Sequence, residues 1–215
     1  MANGTFEAVL WDLDGTLLDS IALILESYRH TLAAHGLPAH SDADVLSGLG
    51  TTLEHQFERW GYGDSKEALI QTYVEHNLLV HDELVQPCAG VKEIVLALRE
   101  RGVPQGLVTS KRRRGGEKGL RALGLDGCFA IEIYGDEVDH AKPHPEPVQR
   151  ALAALELSAT PEVTFVGDAT HDVEAGRAAG VHTVGVTWGA GRREELALAD
   201  VVIDESAALS RLLLG

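Results

Sequence analysis

Asp12-Leu13-Asp14-Gly15-Thr16-Leu17 follows directly on Phe6-Glu7-Ala8-Val9-Leu10-Trp11, so two carboxylates stand where a short apolar run ends. The run has no clean alternation, as in a strand buried on both faces of a parallel sheet. Residues two apart on an extended chain point the same way, which turns Asp12 and Asp14 toward one pocket. Two unit charges about 4 Å apart at an effective dielectric near 20 repel by roughly 4 kcal/mol. A fold that keeps the pair together therefore needs a cation, a shared proton or both. Gly15 lets the backbone turn sharply, after which the amides of Gly15 and Thr16 can point inward at an anion. The same letters would also serve as an Asx-Gly turn ahead of a helix beginning near Asp19.

Three later stretches belong with this one. Gly106-Leu107-Val108-Thr109-Ser110 is a second apolar run, and it ends in a hydroxyl pair. Lys142 stands in Lys142-Pro143-His144-Pro145-Glu146-Pro147, where prolines stiffen the backbone before a helix. Val163-Thr164-Phe165-Val166-Gly167-Asp168 is a third apolar run that stops at an acid, with Asp172 four residues on. Both acids also suit the N-terminus of the helix that follows.

In this order the four stretches resemble the haloacid dehalogenase superfamily, and within it the phosphoglycolate phosphatase-like branch. The likeness covers nearly the whole chain and extends to Ala178-Ala179-Gly180-Val181 and Gly185-Val186-Thr187-Trp188-Gly189. It implies that Asp12 is a nucleophile forming an aspartyl-phosphate, and that Asp14 is first acid to the leaving alcohol and then base to water. It further implies a Mg²⁺ ion on Asp12, the Asp14 carbonyl and Asp168, with Asp172 as a supporting carboxylate of that metal site or of Lys142. Lys142, Thr109 and the Ser110 amide would face the phosphoryl oxygens. Ala169 and His171 depart from the residues often found inside the last motif. Dehalogenases of the superfamily lack an acid at the place of Asp14, and phosphonatases need a cap lysine. Lys66, the only lysine in the inserted segment 19–87, reads as solvated.

The segment between those motifs is helical in character. Ile21, Ile24, Leu25, Tyr28 and Leu32 recur at helical spacing up to Gly36. A second helix is expected from Thr51 to Trp60, and a third after Asp64, with Glu67 completing a capping box. Beyond Gln86-Pro87 the chain alternates helix and strand, which predicts an α/β fold: a Rossmann-like, doubly wound parallel sheet. The expected organisation is a catalytic core of residues 1–18 and 88–215 with an inserted helical cap, 19–87. In the cap, Gly48-Leu49-Gly50 resembles the loop that touches the leaving group. A substrate carboxylate would need backbone amides or a cation such as Arg29, Arg59 or a histidine, and the sequence does not choose among them.

Composition fits a globular enzyme of this kind. A net charge of -15, from 18 basic and 33 acidic residues, makes nucleic acid or an anionic membrane an unexpected partner. No signal-like or membrane-spanning run stands out, and Cys88 and Cys128 have no paired spacing, so reduced thiols in a cytoplasmic protein are expected. The run Lys111-Arg112-Arg113-Arg114 reads as a solvated helix start, and the six histidines between His30 and His81 as solvated or locally bonded. The expected activity is hydrolysis of a small phosphorylated metabolite. A phosphomutase uses the same core residues; a non-catalytic phospho-acceptor would gain nothing from Asp14. Oligomeric state is left open.

Overall fold

The computed structural model describes residues 6–215, so residues 1–5 of the expected core lie outside it. Six parallel strands form one sheet in the order β5-β4-β1-β6-β7-β8. They are β1 (Ala8–Trp11), β4 (Gln105–Val108), β5 (Ile131–Ile133), β6 (Val163–Gly167), β7 (His182–Val186) and β8 (Val201–Ile203). The fold is therefore the doubly wound α/β sheet that the alternation predicts. All four residues of β1 are buried, Val9 and Trp11 in one apolar layer and Ala8 and Leu10 in the other. That two-sided burial explains why β1 shows no alternation; truncating Leu10 to Ala would cost about 2–5 kcal/mol.

Helices α5 (Val91–Glu100), α6 (Arg113–Leu123) and α9 (Ser206–Leu214) cover the first face, α7 (Glu146–Ala154) and α8 (Thr170–Ala179) the second. Their buried residues recur at helical spacing, as Val91, Ile94, Val95 and Leu98 do in α5. The order of strands reverses between β1 and β6, and at such a switch point the loops diverge to open a crevice beyond the carboxyl ends.

Between β2 (Leu18–Asp19) and β3 (Gln86–Pro87), which pair antiparallel, the chain makes a lobe of α1 (Ile21–Ala34), α2 (Asp42–Leu46), α3 (Leu53–Arg59) and α4 (Lys66–Leu84). The lobe has an apolar centre of its own, in which Tyr28 meets Phe57 edge-on at 5.6 Å. Asn77 of α4 donates to Ser27 of α1 at 3.0 Å and ties the two long helices together. The capping box expected at Asp64 does not form. Gly63–Ser65 is a 3-10 turn, and α4 starts after Ser65 with no side-chain cap. Among the described residues no helix is long and apolar enough to cross a membrane.

Candidate active site

Beyond β1 the chain closes a tight turn in which the Leu13 carbonyl accepts from the amides of Thr16, Leu17 and Leu18. Gly15 takes φ +81°, and a Cβ there would lie 2.2 Å from an Asp168 carboxylate oxygen. Glycine is thus required twice, for conformation and for space. The Gly15 and Thr16 amides bond to Leu18 and Leu13 carbonyls, so they are not the inward anion donors expected from the sequence. The amides of Leu13, Asp14 and Ser110 make no hydrogen bond among the described residues.

Lys142 is the centre of the buried charge. Its Nζ donates to Asp12 Oδ1 and Asp172 Oδ1, both at 2.6 Å, and to the Val108 carbonyl at 3.2 Å. An ammonium has three N–H groups, so all are engaged. Burial works against its charge, but Asp12 and Asp172 outweigh burial and hold the ammonium above its ordinary range. Asp12 keeps Oδ2 without a hydrogen bond among the described residues, and Asp12 lines the pocket. Burial pushes the Asp12 carboxyl well up, opposed by Lys142 and reinforced by Asp172 and Asp168.

Asp168 stands at the end of β6. Its Oδ2 accepts from the Ala190 amide at 2.8 Å and its Oδ1 from Thr16 Oγ1 at 3.3 Å. Gly189 leaves room for it, since a Cβ at 189 would come within 2.1 Å of the carboxylate. Burial, then Asp172, pushes Asp168 up to about 7. Asp172, in the first turn of α8, uses Oδ2 to accept from the Ala169 amide at 3.0 Å, which caps the helix while Oδ1 holds Lys142. Asp12, Asp168 and Asp172 offer carboxylate oxygens within 4.8 Å of one another. Three buried acids against one ammonium leave surplus negative charge, and the donors are all hard oxygens. Such a set fits a divalent cation of the Mg²⁺ type.

Asp14 has a cation of its own. Lys111 Nζ lies 2.8 and 3.0 Å from its two oxygens, and Ser20 Oγ donates to it at 2.6 Å. The expectation of a solvated helix start at Lys111 is therefore overturned: its side chain is nearly covered, and α6 begins only at Arg113. Thr109 Oγ1 accepts from the Lys111 amide at 3.1 Å, which leaves the hydroxyl hydrogen to donate elsewhere.

The helical lobe closes over this end of the sheet. Ser110 Oγ donates to the Gly50 carbonyl at 2.6 Å, and Gly50, at φ +88°, packs so that a Cβ would sit 2.9 Å from the Ala169 side chain. Gly48 and Gly50 line the same pocket as Asp12, Asp14, Thr109 and Ser110. Arg29 and Arg59 do not line it; they pair with Asp42 and Asp44 on the outside of the lobe. The histidines form no metal-binding group in the lobe among the described residues, and His30 stacks on His76 at 3.7 Å. His81 is fully buried and locally bonded, with Nδ1 2.8 Å from the carboxylate of Asp82. Cys88 and Cys128 are free and buried, and burial pushes the Cys88 thiol up to about 12.

Comparison with known proteins agrees with this geometry. The family model described as haloacid dehalogenase-like hydrolase matches residues 9–186. Pyrophosphatase PpaX of Anoxybacillus flavithermus is 42% identical over 190 residues, covering 88% of this chain and 87% of that protein. The PpaX protein of Bacillus cereus is 40% identical over 181 residues, covering 84% and 82%. A haloacid dehalogenase-like hydrolase from Bacteroides fragilis superposes with a TM-score of 0.88 at 28% identity, over 95% of this chain and 100% of its own. The buried Asp–Lys–Asp centre, the matched span and the extent of identity lead to one conclusion: the chain belongs to the haloacid dehalogenase-like hydrolases and is a phosphatase of that family.

Proposed function

We propose that this phosphatase hydrolyses a small phosphate ester or anhydride in a Mg²⁺-dependent reaction through an aspartyl-phosphate on Asp12. One observation carries the reading. Asp12 lines the pocket with one oxygen fixed on Lys142 at 2.6 Å and the other without a hydrogen-bond partner among the described residues, as a nucleophile needs. Attack of Oδ2 on phosphorus breaks the bond to the leaving oxygen, which takes its proton from Asp14. Asp14 then removes a proton from the water that hydrolyses the acyl phosphate. Lys111 and Ser20 hold Asp14 in place for both transfers. The Thr109 hydroxyl and the amides of Leu13, Asp14 and Ser110 are the donors for the phosphoryl oxygens.

Mg²⁺ would be held by Asp12, Asp168 and the Asp14 carbonyl, and would supply the charge screening that lets one anion attack another. Asp172, with one oxygen on Lys142 and the other on the Ala169 amide, acts by fixing the lysine. Residues 19–87 serve as the cap over a core of 1–18 and 88–215, and the closed lobe restricts the leaving group to small molecules. The relatives named pyrophosphatase favour an anhydride; the phosphoglycolate phosphatase-like motifs favour a phosphorylated acid.

Phosphate release from pyrophosphate, phosphoglycolate, a sugar phosphate and phenyl phosphate, with Mg²⁺ and with chelator, tests this reading. Turnover should require the metal and fall at least about 10⁴-fold in Asp12→Asn. Metal-independent turnover, or a rate in Asp12→Asn within tenfold of the wild type, would exclude it.

A further inference from the structure

Within the pocket, among the described residues, only Lys111 and Arg112 carry positive charge. Lys111 is committed to both oxygens of Asp14, and Lys142 beneath has its three donors engaged. Arg112 differs from both. Its Nη2 donates to one oxygen of Glu54 at 2.6 Å, while among the described residues its Nη1 makes no hydrogen bond and its buried Nε has no partner. A guanidinium has five N–H groups in a planar fork that matches the oxygens of a carboxylate or a phosphoryl group. A buried donor without an acceptor is unfavourable, and such a group in a native fold calls for a missing partner.

We propose that Arg112 is the specificity-determining residue of the pocket and that the missing partner is an oxyanion on the leaving group. The substrate is then a phosphoryl compound whose leaving group carries its own negative charge, a second phosphoryl group or a carboxylate. This rests on the phosphatase reading of the same site. Position supports the assignment. Arg112 lies three residues beyond Thr109, directly before α6, so it belongs to the same segment that presents Thr109 and Ser110. Glu54 lies in the first turn of α3 in the helical lobe, so the pair bridges core and lobe at the edge of the pocket, where Arg112 also borders an outer groove that Glu54 lines. Elsewhere the wall of the lobe carries no charge: Ile24, Val45, Leu49 and Leu53 line it together with the neutral polar groups of Tyr28, Thr51, Tyr73 and Asn77. A charged leaving group therefore has one strong point of recognition there.

Steady-state kinetics on the full chain with pyrophosphate, phosphoglycolate and phenyl phosphate tests this in the wild type, R112Q and R112K, with thermal melting as a control for folding. The wild type should favour the two charged leaving groups over phenyl phosphate. In R112Q the ratio of kcat/KM for the charged substrates over phenyl phosphate should fall about 10–100-fold, mainly through KM, with partial recovery in R112K. Whether pyrophosphate or phosphoglycolate loses more distinguishes the phosphoryl from the carboxylate source. A ratio unchanged within about twofold while all three rates fall together would assign Arg112 a structural role and overturn the inference. So would a wild type that prefers phenyl phosphate. Absence of any phosphate release by the folded wild type would instead remove the phosphatase reading on which the inference stands.

Discussion

Each acid of the Asp12–Asp14 pair has its own lysine, and the two lysines come from different loops. Lys142 holds Asp12 and Lys111 holds Asp14. The repulsion that the bare sequence implies is thus relieved one acid at a time, which leaves the two free to do different chemistry. Lys111→Met removes the cation beside Asp14 and, among the described residues, leaves Ser20 as its only side-chain partner. We expect kcat to fall by about 10–100-fold, as for a mispositioned acid–base group. Lys118→Met, which breaks a pair with exposed Asp82, serves as the control and should change kcat less than twofold. Equal effects of the two substitutions would show that Lys111 contributes only surface charge. Asp12, Asp14, Thr109 and Asp168 were legible because each closes or follows an apolar run, and strand ends converge in a parallel sheet. Lys111 was not, because a basic run before a helix has the same letters whether its first residue turns inward or outward.

Among the elements, the loop leading into α7 shows how a sequence feature becomes a mechanical one. Glu146 accepts from the amide of Asp139 at 3.0 Å and from the amide of His140 at 2.9 Å, and Arg150 pairs with it as well. The loop so clamped carries Lys142. The Asp139 amide first, with the His140 and Arg150 contacts, lowers Glu146 to about 2 despite some burial. Its folded value lies below its unfolded one, so the stabilisation is complete above the ordinary glutamate range near 4.5 and is lost as pH falls toward 2. Urea unfolding of the wild type and Glu146→Gln between pH 7 and pH 3 should show the largest gap at pH 7 and a narrowing gap below about 4.5. A gap independent of pH would mean that the clamp works by shape and not by charge. The regular strands and long helices were readable from periodicity. Short α2 was missed, since five residues give too few turns for a pattern, and the box expected at Asp64 lost to a 3-10 turn.

Over the whole molecule, strand order brings chemistry from four distant stretches to one edge, and the hinge pair β2–β3 sets a helical lobe above it. That arrangement follows from alternation and from the placement of the insertion, so the architecture was legible. Which cations of the lobe face the pocket was not, because helix rotation decides it: Arg29 and Arg59 turn outward, and the core supplies Arg112 instead. A net charge of -15 surrounds a site that must receive an anion. Raising monovalent salt from about 10 to 150 mM shortens the screening length from about 30 to 8 Å. The kcat/KM for a dianionic ester should therefore rise, by up to a few-fold; a steady decline would mean that the local field of the pocket governs approach. The covalent route depends above all on Asp12 accepting phosphorus. Acid quenching of Asp14→Asn after mixing with Mg²⁺ and a radiolabelled ester, followed by peptide mapping, reads this directly. Hydroxylamine-labile label on the peptide containing Asp12 is expected; phosphate release by the wild type with no label on that peptide at any quench time, in either protein, would refute the covalent route.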